Sequence, residues 1–422
     1  MGMGTVGRGE IIDTVRYPAG TKRSGDNMSE ENIKVEENLV PEEAPVVETP
    51  VAPVDETPVE ETKKGIDVPS IPLESFEIPD LGSKTDIGIE NTYEGAVDFG
   101  VIGSGQCGGR IVKSFYDLGY KKAIAINTAN SDLNPLALPE NQKLKMGEEG
   151  SGKDMALGEK ATKEAYQDIF DKMKDVFGSV DKIIVSVGFG GGTGAGGLAT
   201  VIAIAQKYLG FLGHDKPETD VIVVAALPTA GELSSDLIAN NNGTIREMMF
   251  DMAKKSSIGP LLLIDNSRIE KLYKGIPINK FWNTINDTIT GLFQVLNYMA
   301  IQETEYTTFD REDYRTLLKT PGLAVMGATK FDLSKLKLSK ALQDNFKKTL
   351  LCEDANYKTA KNAGCVVVAD NESIANTSMD DINYGFDTIA NLIGNATVYR
   401  GVYEVKSEGI RAYTFIAGML PR

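Results

Sequence analysis

The stretch Gly188-Phe189-Gly190-Gly191-Gly192-Thr193-Gly194-Ala195-Gly196-Gly197 constrains this chain more than any other. An apolar run, Lys182–Val187 (KIIVSV), precedes it, and a helical pattern over Leu198–Leu209 follows. A glycine turn between a strand and a helix lets backbone N–H groups approach phosphate oxygens at the positive end of the helix. A Walker A loop would close on Gly-Lys-Ser/Thr. This one does not, so no lysine grips the phosphate here.

A second turn of the same kind stands earlier, at Gly103-Ser104-Gly105-Gln106-Cys107-Gly108-Gly109-Arg110. It links the strand pattern Val97–Ile102 (VDFGVI) to a helix over Ile111–Leu118, and it fits G-x-G-x-x-G. Alone it would suit an NAD-dependent dehydrogenase, which needs an acid at the end of the next strand to hold a ribose. That strand, Lys122–Asn127 (KAIAIN), ends on Asn127, with Asp132 five residues later. A dehydrogenase also has no use for the second loop, whereas two loops on one sheet can clamp one polyphosphate from both sides.

Val221–Leu227 and Leu261–Asp265 are further strands, and Lys153–Phe177 has helical spacing. Near-continuous apolar strands alternating with helices argue for a parallel α/β sheet covered on both faces. One long helix follows over Asn279–Ile301. Phe281, Ile285, Ile289, Leu292, Leu296 and Met299 form its apolar stripe, and Phe293 and Val295 widen it. The remainder mixes strands (Gly322–Thr329, Gly364–Ala369, Ala396–Tyr403, Ile410–Ala417) with helices near Lys335–Leu351 and Asp380–Ile393. The expected domains are 1–95, 96–278, 279–303 as a central helix, and a smaller α+β domain over 304–422.

Charge separates the first of these from the rest. Residues 1–95 hold 21 Asp and Glu against 8 Lys and Arg, a net of −13 out of −16 for the whole chain, and 9 of the 17 prolines. The stretch 35–64 repeats Val, Glu, Thr and Pro and cannot bury enough surface to offset chain entropy. It reads as a disordered acidic arm: a spacer, or a docking site for an adaptor. The segment Ile71–Leu81 (IPLESFEIPDL) is more apolar and suited to docking on a fold. No basic surface calls for nucleic acid. No apolar run reaches the ~20 residues of a membrane span, and the N-terminus lacks a secretory pattern. Cys107, Cys352 and Cys365 make neither a disulfide framework nor a metal cage, and His214 is the single histidine, so no metal site is assigned to protein side chains. A cytoplasmic protein is expected.

The second loop, with GGGTG followed by a small residue and glycine, resembles the signature of the tubulin/FtsZ superfamily of GTPases. The first, with Gly-Gln-Cys-Gly, looks more like tubulin than FtsZ. The resemblance covers roughly 96–420. It implies a parallel-sheet GTPase domain, a central helix and an α+β activation domain. It implies GTP or GDP as ligand, with Mg2+ held mainly by the phosphates. Carried over residue by residue, it assigns the phosphate cradle to Gly105, Gln106, Cys107 and Gly108 and to Gly190, Gly191, Gly192, Thr193 and Gly194. Asn127 lies in the family's loop after the second strand. Gly152 lies in Gly147–Asp154 (GEEGSGKD), which resembles the loop that senses the γ-phosphate. Glu232 and Asn266 match nucleotide contacts. Trp282 and Asn286 match an aromatic that stacks on guanine and a polar group that reads its edge.

Thr308-Phe309-Asp310-Arg311-Glu312-Asp313 resembles the family's catalytic loop, N-x-D-x-x-D, which enters the nucleotide pocket of the next subunit. Asp310 and Asp313 fall on its acidic positions; as isolated acids they would read as a helix N-cap and first turn. Two departures stand out. Thr308 replaces the asparagine, and Asp236 stands where the family has arginine, four residues after Glu232. The resemblance implies a filament-forming GTPase whose hydrolysis is completed by the neighbouring subunit. FtsZ carries a C-terminal peptide for membrane tethers, and with Ile410–Ala417 close to Arg422 none is expected. The character is closest to plasmid- and phage-type tubulin-like proteins, which position DNA or particles. A non-polymerising nucleotide-binding regulator of the same fold is the alternative.

Overall fold

Strands rich in Val, Ile and Ala build the frame. The computed structural model describes residues 94–272, 277–331, 337–347, 349, 355–394, 396–406 and 409–422. The acidic arm expected over 1–95, with its Ile71–Leu81 segment, lies outside them except for Glu94 and Gly95. In chain order come β1 (Phe99–Ser104), α1 (Gly105–Asp117), β2 (Ala123–Asn127), α2 (Asn130–Leu133), β3 (Lys143–Lys145), α3 (Met155–Glu164), α4 (Tyr166–Phe177), β4 (Lys182–Gly188), α5 (Gly192–Phe211), β5 (Val221–Leu227), α6 (Asp236–Lys254), β6 (Pro260–Asp265) and α7 (Asn266–Leu272). The long helix α8 (Ile278–Met299) is followed by α9 (Arg311–Lys319), β7 (Gly322–Phe331), α10 (Leu338–Lys347), β8 (Ala355–Asn356), β9 (Asn362–Ala369), α11 (Asn371–Ala375), α12 (Met379–Leu392), β10 (Thr397–Glu404) and β11 (Ile410–Pro421).

Among the described residues the strands form one eleven-stranded sheet in the order β10-β9-β11-β7-β6-β5-β4-β1-β2-β3, with β8 paired to β11. From β3 across to β7 every pair is parallel. β11 runs antiparallel between β7 and β9, and β10 lies parallel to β9. The mixed α/β fold with a mostly parallel sheet is therefore as the apolar strand runs indicate. β1 and β5 are buried along their whole length, as strands covered on both faces must be.

Helix starts differ from the sequence reading. α1 begins at Gly105 and α5 at Gly192, so each helix takes its first turn from the glycine loop itself. Glycine has poor helix propensity and no side chain to mark a face, which hides such a start from periodicity. Lys153–Phe177 is two helices that meet at Ala165.

α8 runs against β1 and α1. Phe293 meets Phe99 and Phe115 edge to face, with centroids 6.2 and 5.6 Å apart. One turn on, fully buried Asn297 accepts from Val97 N–H (2.9 Å) and donates to Val97 O (3.0 Å). Both backbone groups of the residue entering the sheet are thereby satisfied. Ala96 N–H adds a bond to Asn297 O at 3.0 Å.

The amino-terminal ends of β4 and β5 carry a buried ionic cluster. Lys182 Nζ donates to Asp220 Oδ1 at 2.6 Å, and His214 Nδ1 lies 2.8 Å from Asp220 Oδ2. Burial alone would raise the Asp220 carboxyl, but Lys182 and His214 outweigh it and hold it below its ordinary value. Its contribution to stability is thus present above the ordinary carboxylate range and drains away as pH falls through and below it. Lys182→Met keeps the stem but strands the carboxylate. It is expected to cost about 3–5 kcal/mol at neutral pH, measured by denaturant unfolding. The gap to wild type should shrink as pH drops through about 3.9; a pH-independent gap would show that lost packing, and not the ion pair, is what the substitution removes.

Candidate functional site

The carboxyl ends of β1, β2 and β4 gather the glycine loops at one edge of the sheet. Gly105 takes φ +76°, a conformation glycine adopts without strain, and a Cβ there would stand 3.1 Å from Gly194 N. The two loops are therefore in backbone contact. At Gly192 a Cβ would meet Ser151 Oγ at 2.5 Å and Asp154 O at 2.6 Å, so the loop over 147–154 closes on the second glycine loop. By contrast nothing lies within 4 Å of where a side chain would stand at Gly150, Gly152 or Gly191. Gly191 is the N-cap of α5, so the open space beside it lies at that helix's N-terminus, where free N–H groups and the helix dipole favour an anion.

Three hydroxyls join the loops. Thr193 Oγ1 lies 2.7 Å from Thr128 Oγ1 and 3.0 Å from Ser151 Oγ, all three residues buried. Asp132 ties the first glycine loop to the end of β2, accepting from Gln106 Nε2 and Asn127 Nδ2 at 3.0 Å each. Ser104 Oγ, buried at the β1–α1 junction, has no hydrogen-bond partner among the described residues. Such an orphan beside an anion cradle fits a ligand with acceptor oxygens. Cys107 packs against Gly188, and burial pushes its thiol up to about 11, with Arg110 partly offsetting, so it is a neutral wall and not a nucleophile.

Glu232, Asn266 and the pair Trp282 and Asn286 stand on separate elements. Glu232 is exposed in the turn beside the second loop, its Oε2 accepting from Thr229 N–H at 2.8 Å. Asn266 opens α7 at the end of β6, and Asp236 opens α6. Trp282, half-buried against Phe281, and buried Asn286 stand on the first turns of α8.

Asp310 and Asp313 are at the other edge. They form the capping box of α9: Asp310 Oδ1 accepts from Glu312 N–H (2.8 Å) and Asp313 N–H (2.9 Å), and Asp313 Oδ2 accepts from Asp310 N–H (3.1 Å). The local structure is thus the N-cap and first turn that isolated acids would adopt. Arg311 Nη1 donates to Ala96 O at 3.1 Å, just before β1, and Arg315 lies 3.6 Å from Asp181, just before β4. Both contacts fix the pair at the amino ends of the strands, away from the glycine loops. Burial raises the Asp313 carboxyl; the Asp310 N–H partly offsets this, and the Asp310 charge adds to it.

The family model described as "Tubulin/FtsZ family, GTPase domain" matches residues 99–214, which span both glycine loops. The tubulin-like protein CetZ of Thermococcus kodakarensis is 29% identical over 332 residues, covering 76% of this chain and 81% of that protein. Residues 99–214 thus carry a GTPase domain of the tubulin/FtsZ family type. Cell division protein FtsZ 2 of Haloferax volcanii is 26% identical over 273 residues, covering 62% of this chain and 60% of that protein. Among solved structures, a GTPγS-form protofilament of TubZ from Bacillus thuringiensis serovar israelensis has a TM-score of 0.67 at 16% identity, covering 77% of this chain and 89% of that one. CetZ2 from Haloferax volcanii, a GTPγS-bound protofilament, has 0.61 at 21%, covering 76% and 93%. At these identities the structures speak for the tubulin/FtsZ fold alone.

The superfamily's glycine signature made the cradle legible, but two of its supports were not singled out. Ser151 gave no sequence signal, since a serine in a glycine loop is unremarkable. Asn241 could have been found. It sits in the run Asn240-Asn241-Asn242, poor helix formers in the interior of α6, and its Nδ2 donates to Lys153 O at 2.8 Å, bracing the 147–154 loop. Thr193→Val removes the shared hydroxyl and leaves Thr128 and Ser151 without it. A loss of about 1–3 kcal/mol is expected, read as a lowered melting temperature together with weaker nucleotide binding; Thr193→Ser should restore both.

Proposed function

We propose that this chain binds and hydrolyses GTP and assembles head to tail, each subunit's acidic loop completing the site of the next. The observation that carries this is the placement of the phosphate cradle and the Asp310–Asp313 pair at opposite edges of one sheet. The pair cannot serve the chain's own nucleotide, yet stacking copies along the strand direction brings one edge onto the other. Exposed Leu233 and Leu237 flank the cradle edge and exposed Tyr306 precedes the acidic loop, giving both edges apolar surface to bury. The relatives described as protofilaments support self-association of this kind.

In this reading backbone N–H groups of α1 and α5 hold the phosphates without a lysine. Mg2+ would be held mainly by the phosphates and would supply positive charge to them. The neighbour's Asp310 orients a water in line with the γ-phosphorus. The water oxygen bonds to phosphorus, the bond to the β-phosphate oxygen breaks, and Asp313 takes the water's proton, leaving GDP and phosphate. Burial raises the Asp313 carboxyl, which makes it a better proton acceptor than an ordinary carboxylate. The finer role proposed is positioning of DNA or particles in the cytoplasm, with an adaptor on the acidic arm, no direct nucleic-acid contact and no membrane contact. No helix among the described residues is long and apolar enough to cross a membrane.

Asp310→Asn separates chemistry from structure, because asparagine caps a helix as well as aspartate does. It should fold and bind GTP normally, assemble, and lose about 10²-fold in turnover. Mixed with a Thr193→Val, Gly194→Ala chain, it should regain part of that turnover at mixed joints. Weakened GTP binding by Asp310→Asn alone would sink the shared site. GTP turnover in wild type that stays proportional to concentration, with no filaments by negative stain, would favour the non-polymerising regulator.

The base assignment has its own test. Asn286→Ala should cut GTP affinity by roughly 10-fold or more while leaving ATP affinity unchanged, because a site built to pair one base loses only that pairing. Equal wild-type affinities for GTP and ATP in isothermal titration would overturn the role given to Trp282 and Asn286.

A further inference from the structure

The described fold starts at a fixed point. Val97 is held at both backbone groups by Asn297, and Ala96 O accepts from Arg311. The described chain therefore begins at the amino edge, beside the acidic loop. A cavity of about 600 Å³ lies there, its walls including Glu94, Phe99, Tyr120, Lys121, Ile301 and Arg311. That is the size of an ordinary ligand pocket. Its charge is slightly positive: Asp98 is neutralised by its ion pair with Lys122, which leaves Lys121 and Arg311 against Glu94.

We propose that the segment Ile71–Leu81 of the same chain docks in this cavity. It is the apolar part of the acidic arm, with Ile71, Leu73, Phe76, Ile78 and Leu81, and its charges are Glu74, Glu77 and Asp80, all opposite in sign to the rim. The cavity takes a few side chains, so Phe76 and Ile78 fill it and the acids meet Lys121 and Arg311. The tether, residues 82–93, ends on Glu94 in the cavity wall. Twelve residues need span no more than about 20 Å to reach from the segment to Glu94. Such a tether holds the segment at an effective concentration in the millimolar range, so a contact with a Kd of about 0.1 mM is already filled. Docked there, the segment shields Arg311 and the acidic edge from a second copy. This last consequence rests on the head-to-tail reading above; the docking itself does not.

Disulfide capture in the full-length chain tests the docking. Ser75→Cys with Lys121→Cys is compared with Thr49→Cys with Lys121→Cys, in dilute protein without nucleotide, each single variant serving as a control for the native cysteines. Tether length alone favours the first pair by about fourfold. Docking predicts an intramolecular cross-link at least twentyfold faster, falling to about fourfold when Phe76→Ser and Ile78→Ser are added. Deleting residues 71–81 should raise amide exchange of Gly119–Lys122 at least fivefold. A rate ratio near fourfold in the parent pair, or cross-links formed only between two chains, overturns the docking. If docking holds but the deletion leaves the assembly lag with GTP unchanged, the head-to-tail reading fails instead.

Discussion

A parallel strand can deliver its chain to only one edge of the sheet, and the seven strands from β3 to β7 all point the same way. Every strand-to-helix turn among them must then open on a single edge, with the free N–H groups of the following helix beside it. Two of those turns are glycine loops close enough for backbone to touch backbone, at Gly105 and Gly194. The three-hydroxyl junction at Thr193, the Asp132 bridge and the bracing of the 147–154 loop by Asn241 all presuppose that shared edge. So does the position of the acidic loop, because a chain returning from α8 must re-enter at the opposite one.

α8 connects the two edges. Its first turns carry Trp282 and Asn286, and its last turns hold Val97 through Asn297. Between them, Ser114 of α1 bonds to Asp287 and Thr290. Displacement of this helix along its axis would disturb both edges at once. That makes it a physical route by which events at the cradle could reach the acidic loop, without any contact between the two.

Much of this was legible in the sequence, for identifiable reasons. Apolar runs such as KIIVSV and VIVVAAL announce buried parallel strands, and the i, i+4 stripe of α8 is long enough to be unambiguous. What periodicity missed had weak side-chain signals. Glycine turns concealed the starts of α1 and α5, and α6 opens on Asp-Leu-Ile-Ala-Asn-Asn-Asn, whose polar run masks a half-buried helix. For the candidate site, the glycine patterns mark two strand-to-helix turns that the structure brings together, but the Thr128–Thr193–Ser151 junction depends on three loops converging, which spacing along the chain does not encode. Asp310 and Asp313 illustrate a different limit. Their pattern fits a cap and a catalytic loop equally well, and the capping box does not exclude the second role.

β11 is the last of the eleven strands in chain order, yet it lies inside the sheet, hydrogen-bonded along one side to β7 and along the other to β9. During synthesis β7 and β9 must therefore wait with unsatisfied edges until the final strand emerges. Open edges of this kind invite pairing with other chains. Without β11 the described strands would form two parts of a sheet with the seam between them missing. β11 is thus the strand that ties β8, β9 and β10 to the rest of the described sheet.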